Sequence, residues 1–334
     1  MDSMCSIILA AGKGTRLKSS LPKVMHEILG YPLIFYPLSL VRDISRTTIV
    51  VVGHGRETVT AYLGSFPVTT VVQEPQLGTG HAILLARHAL TETDADHILI
   101  LPGDMPLIRE NSLKGLKDAY FTSRADVGVL TARIAEPHGY GRIIRNDAGR
   151  VQRIVEEQDA SAEQRRIDEI NTGVYIIRKQ FLLASVERLC PDNAKGEFYL
   201  TDVVAMAGGA ESFMVNDPDE AHGINSRDQL CFAQTRMQQR INRAHMEAGV
   251  TFMDPDTAWI SPTAVIEQDV EIWPNVHILG RSSIETGVRV MPGVWIRDSA
   301  IGASSTIGIG SIIQGTPVEK ESVLAPYTRV SRDA

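Results

Sequence analysis

Isoleucine or valine stands at Ile260, Ile266, Ile272, Ile278, Ile284, Val290 and Ile296, a strict step of six. After one five-residue step the pattern resumes at Ile301, Ile307 and Ile313. Four residues beyond most of these sits a small or β-branched residue, among them Ala264, Val270, Val276, Ser282, Val288, Val294, Ser305 and Ser311. This period belongs neither to a helix nor to a simple alternating strand. It predicts a solenoid in which each six-residue unit makes one short flat side of a prism with its aliphatic residue pointing inward. Ser322–Ala334 departs from the six-residue step and reads as a cap over roughly three to four coils.

The chain before residue 228 has a different texture. Thr48–Val52, Val68–Val72, Ile98–Leu101, Val127–Leu130 and Val174–Ile177 read as strands, and Ala82–Leu90 and Leu113–Ala119 as helices between them. Such alternation predicts an α/β domain with a mainly parallel, Rossmann-like sheet, whose ligands bind beyond the carboxyl ends of the strands. Ser226 and Gln229 have the spacing of a capping box, and Gly249 is a natural stop for the helix between. The expected domains are therefore residues 1–227, a linker helix over 228–250, and a short β-helix over 251–334.

The first strand, Cys5–Leu9, runs straight into Ala10-Ala11-Gly12-Lys13-Gly14-Thr15-Arg16. No acidic residue lies between residues 3 and 26, whereas Lys13, Arg16, Lys18 and Lys23 do, in a chain of net charge -7. A small-residue loop after a strand can turn backbone N–H groups toward an anion, and this one suits a polyphosphate. It is not a Walker A loop, because one residue separates Gly12 from Gly14. It is not a dinucleotide fingerprint either, because Leu17 stands where a third small residue is needed.

At 334 residues the chain can bury a sizeable core. No apolar run approaches the length of a membrane span, and no cleavable leader precedes the glycine loop. The three cysteines (Cys5, Cys190, Cys231) lack C-x-x-C spacing, which fits a reducing cytoplasm, and each reads as a small buried hydrophobe. The acidic balance and the lack of an extended basic face disfavour nucleic acid.

The span from Leu9 through Gly12-x-Gly14-Thr15-Arg16 to Pro22-Lys23 resembles the signature of the sugar-nucleotidyltransferases. Further segments narrow the resemblance: Gln73–Ala82 with its Gly-Thr-Gly-His-Ala, Gly103-Asp104-Met105-Pro106-Leu107, Gly139–Ile143, Ile154-Val155-Glu156, Glu169-Ile170-Asn171-Thr172-Gly173, Gly196–Asp202 and Gly223–Arg227. With the solenoid behind them, they resemble the family of bacterial bifunctional N-acetylglucosamine-1-phosphate uridyltransferases/glucosamine-1-phosphate acetyltransferases. Similarity to hexapeptide-repeat proteins implies a left-handed parallel β-helix.

The resemblance implies a reaction, residue by residue. The activity would be Mg²⁺-dependent transfer of a uridylyl group from UTP to N-acetylglucosamine 1-phosphate, supplying a cell-wall precursor. Asp104 and Asn225 would be the metal ligands. Arg16 and Lys23 would act on the phosphates, with Leu9, Ala10, Ala11, Gly12, Gly14, Thr15, Gln73, Gly78, Thr79, Pro102, Gly103 and Asp104 around the nucleotide. Gly141, Glu156, Asn171, Thr172 and Asn225 would meet the sugar, with Glu197 and Tyr199 as weaker candidates. His54 and His81 read as structural or pocket-lining. Pro102 is a departure, since the family often has an aromatic residue before Gly-Asp. The coils that carry the family's acetyl-CoA site are missing, so the β-helix reads as truncated and no acetyl transfer is expected; a homotrimer through the prism is. Two alternatives stay open: a nucleotidyltransferase for another sugar phosphate or base, and a non-catalytic sugar-nucleotide sensor.

Overall fold

A computed structural model describes residues 3–332. The described residues divide into two compact units, one of residues 3–26 and 32–229, the other of residues 27–31 and 230–332.

The first unit is built on a nine-stranded sheet. Its strands are β1 (Met4–Ala10), β2 (Thr47–Val52), β3 (Thr69–Val72), β4 (His97–Pro102), β5 (Val127–Arg133), β6 (Arg142–Arg145), β7 (Val151–Val155), β8 (Glu169–Arg178) and β9 (Glu211–Met214). The main order is β9-β5-β8-β4-β1-β2-β3, with β6 and β7 as a hairpin beside β8. β1 pairs parallel with both β2 and β4, and β2 with β3. β8 alone in the main order runs the other way, antiparallel to β4 and β5. The sheet is thus mainly parallel, as the alternation of strands and helices predicts.

Burial on both faces explains the near-continuous apolar strands, such as Thr-Thr-Ile-Val-Val-Val in β2. One core cluster gathers Ile8, Val50, Leu99 and Leu101; the other gathers Ile7, Ile49, Ile98 and Ile100. Successive residues of one strand feed opposite layers. The helices α1 (Thr79–Thr91) and α2 (Glu110–Ser123) extend a few residues beyond the apolar stretches that signal them. The chain leaves β1 for β2 on one side and returns to β4 on the other, so the strand order reverses at β1. That reversal opens a crevice at the carboxyl ends of β1 and β4.

Helix α3 (Arg227–Glu247) starts at the expected capping box. Ser226 Oγ accepts from Gln229 N at 3.2 Å, and Gln229 Oε1 accepts from Ser226 N at 3.1 Å. Gly249 follows its end at φ 97°.

Within the second unit, the strands from Thr251 to Ser331 form a left-handed parallel β-helix. One face stacks Thr251–Phe252, Glu271–Ile272, Arg289–Val290, Thr306–Ile307 and Val323–Leu324. A second stacks Trp259–Ile260, His277–Leu279, Trp295–Arg297, Ile312–Gln314 and Arg329–Ser331. A third stacks Val265–Ile266, Ser283–Ile284 and Ala300–Ile301. Every member of the six-residue series from Ile260 to Ile313 is buried. Each such side chain contributes about 1.5–3 kcal/mol through burial.

Two expectations need correction. Residues 322–332 do not depart from the solenoid: Val323–Leu324 and Arg329–Ser331 pair parallel with the preceding coil. A second five-residue step, Ile313 to Val318, hides the continuation, after which Val318, Leu324 and Val330 resume the step of six. Two faces carry five strands each, more than three to four coils would supply. Asp333 and Ala334, the last residues of the expected cap, lie outside the described residues. Second, Cys5 is buried, its thiol pushed up to about 12 chiefly by that burial, but Cys190 and Cys231 are exposed.

Candidate active site

The glycine loop turns sharply after β1. Gly14 takes φ 61°, and a Cβ there would lie 2.6 Å from Lys23 Cβ. Only glycine combines that dihedral with so close a neighbour. Thr15–Leu17 then form one 3-10 turn, pinned by Arg227 Nε donating to Leu17 O at 3.2 Å. Gly12, Lys13, Thr15, Arg16 and Lys18 are exposed. Among the described residues, Lys13, Arg16 and Lys18 make no ion pair, so this loop presents uncompensated positive charge.

Lys23 is placed differently. Its Nζ forms a close ion pair with Asp104 Oδ2 and donates to Asn225 Oδ1 at 2.6 Å. Asp104 follows the end of β4. Ile224 N donates to Asp104 O at 3.0 Å, tying the Gly223–Asn225 segment to that strand end. Asn225 N in turn donates to Gln229 Oε1 at 2.7 Å, so the capping glutamine also holds Asn225. Two oxygens from distant parts of the sequence thus converge on one cationic group.

A cavity of about 560 Å³ opens over this cluster. Leu9, Ala10, Ala11, Gly12, Lys23, Gln73, Gly78, Thr79, Pro102 and Asp104 line it, together with Lys13, Val24, Pro75, Gln76, Ala82 and Glu197. Gln73 is buried, and its Nε2 donates to Gly78 O at 2.9 Å. His81 Nδ1 lies 3.3 Å from the same nitrogen, which gives that histidine an orienting contact. Thr79 Oγ1 accepts from Leu200 N at 3.1 Å. Gly103 N donates to Leu9 O at 2.9 Å and holds β4 against β1. His54 is exposed.

A second cavity, of about 530 Å³, is lined by Arg16, Glu156 and Lys195 with His138, Gly139, Glu157, Gln158 and Arg165. Burial raises the Glu156 carboxyl above its ordinary range, while Lys195 and the Thr201 hydroxyl pull it down. Asn171 N donates to Gly141 O at 2.9 Å. The register of β8 against β5 shifts between Asn171 and Tyr175, a bulge that re-aims these residues. Asn171 uses part of its amide inside this bulge, donating to Tyr175 Oη at 2.6 Å and accepting from Gly173 N at 3.0 Å. Thr172 is turned inward: its hydroxyl donates to Leu130 O at 2.7 Å and accepts from Val174 N at 3.2 Å. Its side chain is therefore part of the sheet, leaving only backbone for a ligand. Tyr199 is buried, and Glu197 reaches the first cavity.

Tyr140 was not singled out by sequence reasoning. Burial raises its hydroxyl pKa, Asp104 raises it further, and Gly223 N–H and Arg16 oppose this. Tyr140 thus stands among the metal-side and phosphate-side candidates. Its one sequence signal is an aromatic ring between Gly139 and Gly141.

Residues 6–192 match the model of the MobA-like NTP transferase domain. The chain is 43% identical over 322 residues to the "Bifunctional protein GlmU" of Syntrophotalea carbinolica, covering 95% of this chain and 69% of that protein. It is 41% identical to the protein of that name from Geotalea uraniireducens, over 99% of this chain and 73% of the relative. The Geobacter metallireducens protein is 44% identical over 90% of this chain and 64% of its own. With the glycine loop, the Asp104 strand end and the six-residue solenoid all in one chain, this protein belongs to the GlmU family of nucleotidyltransferases.

Proposed function

We propose that the first unit transfers a uridylyl group from UTP to N-acetylglucosamine 1-phosphate, giving UDP-N-acetylglucosamine and pyrophosphate. The observation that carries this reading is the convergence of Lys23, Asp104 and Asn225 at the crevice between β1 and β4. On one side lie the glycine loop and Gln73, on the other Gly141, Glu156 and Asn171.

In this reading a phosphate oxygen of the sugar attacks the α-phosphorus, a new P–O bond forms in line, and the bond to the β-phosphate breaks. The attacking phosphate is already ionised, so no general base is needed. Arg16 pairs its planar fork with the leaving phosphates, and Lys23 offers a compact charge near the α-phosphate. Gln73 donates to and accepts from the uracil edge, as an amide can. Glu156 and Asn171 bind the hydroxyls and the acetamido group, and Thr172 takes part only through backbone.

Asp104 Oδ2 and Asn225 Oδ1 already face one cation, the Lys23 ammonium, which suits them to a divalent ion. Two oxygen ligands fit Mg²⁺, which keeps waters and takes substrate phosphates for the rest. Among the described residues no group of three or more His, Cys, Asp or Glu forms a metal cage, so Mg²⁺ is the better match than zinc. When bound, the ion neutralises charge on the transferring phosphoryl group.

The proposal includes a cytoplasmic setting and a homotrimer assembled through the solenoid. It confines the chemistry to the first unit; appreciable acetyl transfer from acetyl-CoA to glucosamine 1-phosphate would overturn that part. No helix among the described residues is long and apolar enough to cross a membrane.

The test is pyrophosphate release from UTP and Mg²⁺ with N-acetylglucosamine 1-phosphate, glucose 1-phosphate and glucosamine 1-phosphate in parallel. Strong preference for the N-acetyl sugar is expected. Preference for another sugar phosphate would move the substrate, and UTP binding without release would favour a sensor.

A further inference from the structure

We propose that Glu157, working with Arg142, is a positioning residue that sets the sugar subsite by holding the loop from His138 to Gly141 in one shape. The inference rests on the sugar assignment made above for Gly141, Glu156 and Asn171.

Glu157 follows β7 and is the immediate neighbour of Glu156. Its carboxylate gathers donors from the loop. Gly139 N donates to Oε2 at 3.2 Å, and His138 Nδ1 lies 3.4 Å from Oε1. Arg142 Nη2 donates to Oε2 at 2.6 Å, while Arg142 Nη1 donates to the Tyr140 carbonyl. Arg165 Nε closes the far side, 3.8 Å from Oε1 and 3.3 Å from the Glu157 carbonyl. Burial alone would raise the Glu157 carboxyl. The Arg142 and Gly139 hydrogen bonds and the nearby positive charges more than offset it, and the carboxyl is held below its ordinary range.

Arg142 is 1% exposed in its side chain, and its Nε has no hydrogen-bond partner among the described residues. Burying a guanidinium is costly, and such a pair is a weak source of stability. What it does here is geometric. One planar fork bridges a carboxylate just past the end of β7 and a carbonyl of the loop, so the end of the hairpin and the loop move together. Gly141 is the next loop residue, and it has little tolerance. A Cβ on Gly141 would meet Ile154 Cγ2 at 2.8 Å, and would sit 3.6 Å from both Glu156 Oε1 and Asn171 Cβ. A small displacement of the loop therefore alters the space bounded by all three sugar-side residues. Gln73, Gly78 and Thr79 lie on other elements and take no support from this clamp.

The experiment measures KM for N-acetylglucosamine 1-phosphate and for UTP separately in wild type, Glu157→Gln, Glu157→Asp and Arg142→Lys, with thermal melting of each. Glu157→Gln and Arg142→Lys are expected to raise the sugar-phosphate KM on the order of tenfold, as misplaced contacts do, with the UTP KM unchanged. Glu157→Asp, which keeps the carboxylate, is expected to recover part of the loss. General loosening of the fold would move both KM values together, and that result overturns the proposal. If Glu157→Gln fails to fold, Arg142→Lys carries the same expectation. Asn171→Ala separates the two levels of the argument. A raised sugar-phosphate KM in Asn171→Ala beside an unmoved one in Glu157→Gln refutes the positioning role alone. No change in either variant refutes the sugar assignment, and the positioning role falls with it.

Discussion

At the scale of single residues, Asp104 is the most exposed point of the proposal. It pairs with Lys23 at the strand end and would carry the metal. Asp104→Ala should lower kcat by at least about a hundredfold, the loss typical of removing one preorganised electrostatic contact, and pyrophosphate release checks it; near-wild-type turnover would remove the metal assignment. Glu156 and Glu157 make an instructive contrast, because adjacent carboxyls are shifted in opposite directions. Glu156 is raised, so its ionisation opposes folding above the ordinary carboxylate range, and protonation on acidification relieves that. Glu157 is lowered, so it contributes stability above the ordinary range that is lost as pH falls through its depressed value. In the function proposed, ionised Glu156 accepts from sugar hydroxyls. The sugar-phosphate KM should therefore rise on acidification from a pH above the usual carboxylate range. The substrate phosphate titrates too, so the ratio of wild type to Glu156→Gln isolates the side chain. A ratio that does not change with pH would show that Glu156 is not the group responsible.

At the scale of elements, α3 joins local capping to distant chemistry. Its amino end holds Asn225 through Gln229. Within the second unit, Gln238 and Asn242 lie one helical turn apart and are buried. Their amide nitrogens donate to Ala258 O at 2.8 and 2.9 Å, with further bonds to Asp256 O and Pro255 O. Replacing both with alanine would leave these carbonyls without those donors. The double variant should lose at least roughly 1–3 kcal/mol, the cost of one buried unsatisfied polar group, measured by urea unfolding. An unchanged midpoint would refute the role. These two residues also mark where sequence reading stops. Ser226 and Gln229 announce the start of α3 by spacing alone, because a cap is a local device. Gln238 and Asn242 look like ordinary polar helix residues until the carbonyls they meet are known. The same division holds at the site. Gly12, Gly14 and Asp104 are legible because a loop after a strand has local chemistry. Thr172 looks like a ligand next to Asn171, but the bulge turns its hydroxyl into the sheet. Tyr140 and Glu157 acquire meaning only through partners on other elements and loops.

At the scale of the whole molecule, the six-residue series was legible because burial on a solenoid repeats in sequence. Its continuation past Ile313 was not, because a second five-residue step breaks the count. The repeat leaves some apolar side chains facing outward. Met253, Val265, Ile309, Val323 and Tyr327 are exposed, half of the ten large hydrophobics that are exposed among the described residues, in about a quarter of the chain. They are spread over separate faces and coils, Val265 on the third face and Val323 on the first. The proposed homotrimer would pack like faces of three prisms in a closed ring. Light scattering at micromolar concentration should accordingly give three times the 36.6 kDa chain mass. Val265, 63% exposed on the third face, is the residue to perturb. Val265→Glu places a charge there without touching the buried series, so the coils should stay folded by circular dichroism while the mass falls. A monomeric mass for the unaltered chain would remove the trimer. A trimer that ignores Val265→Glu would move its contact to another face of the prism.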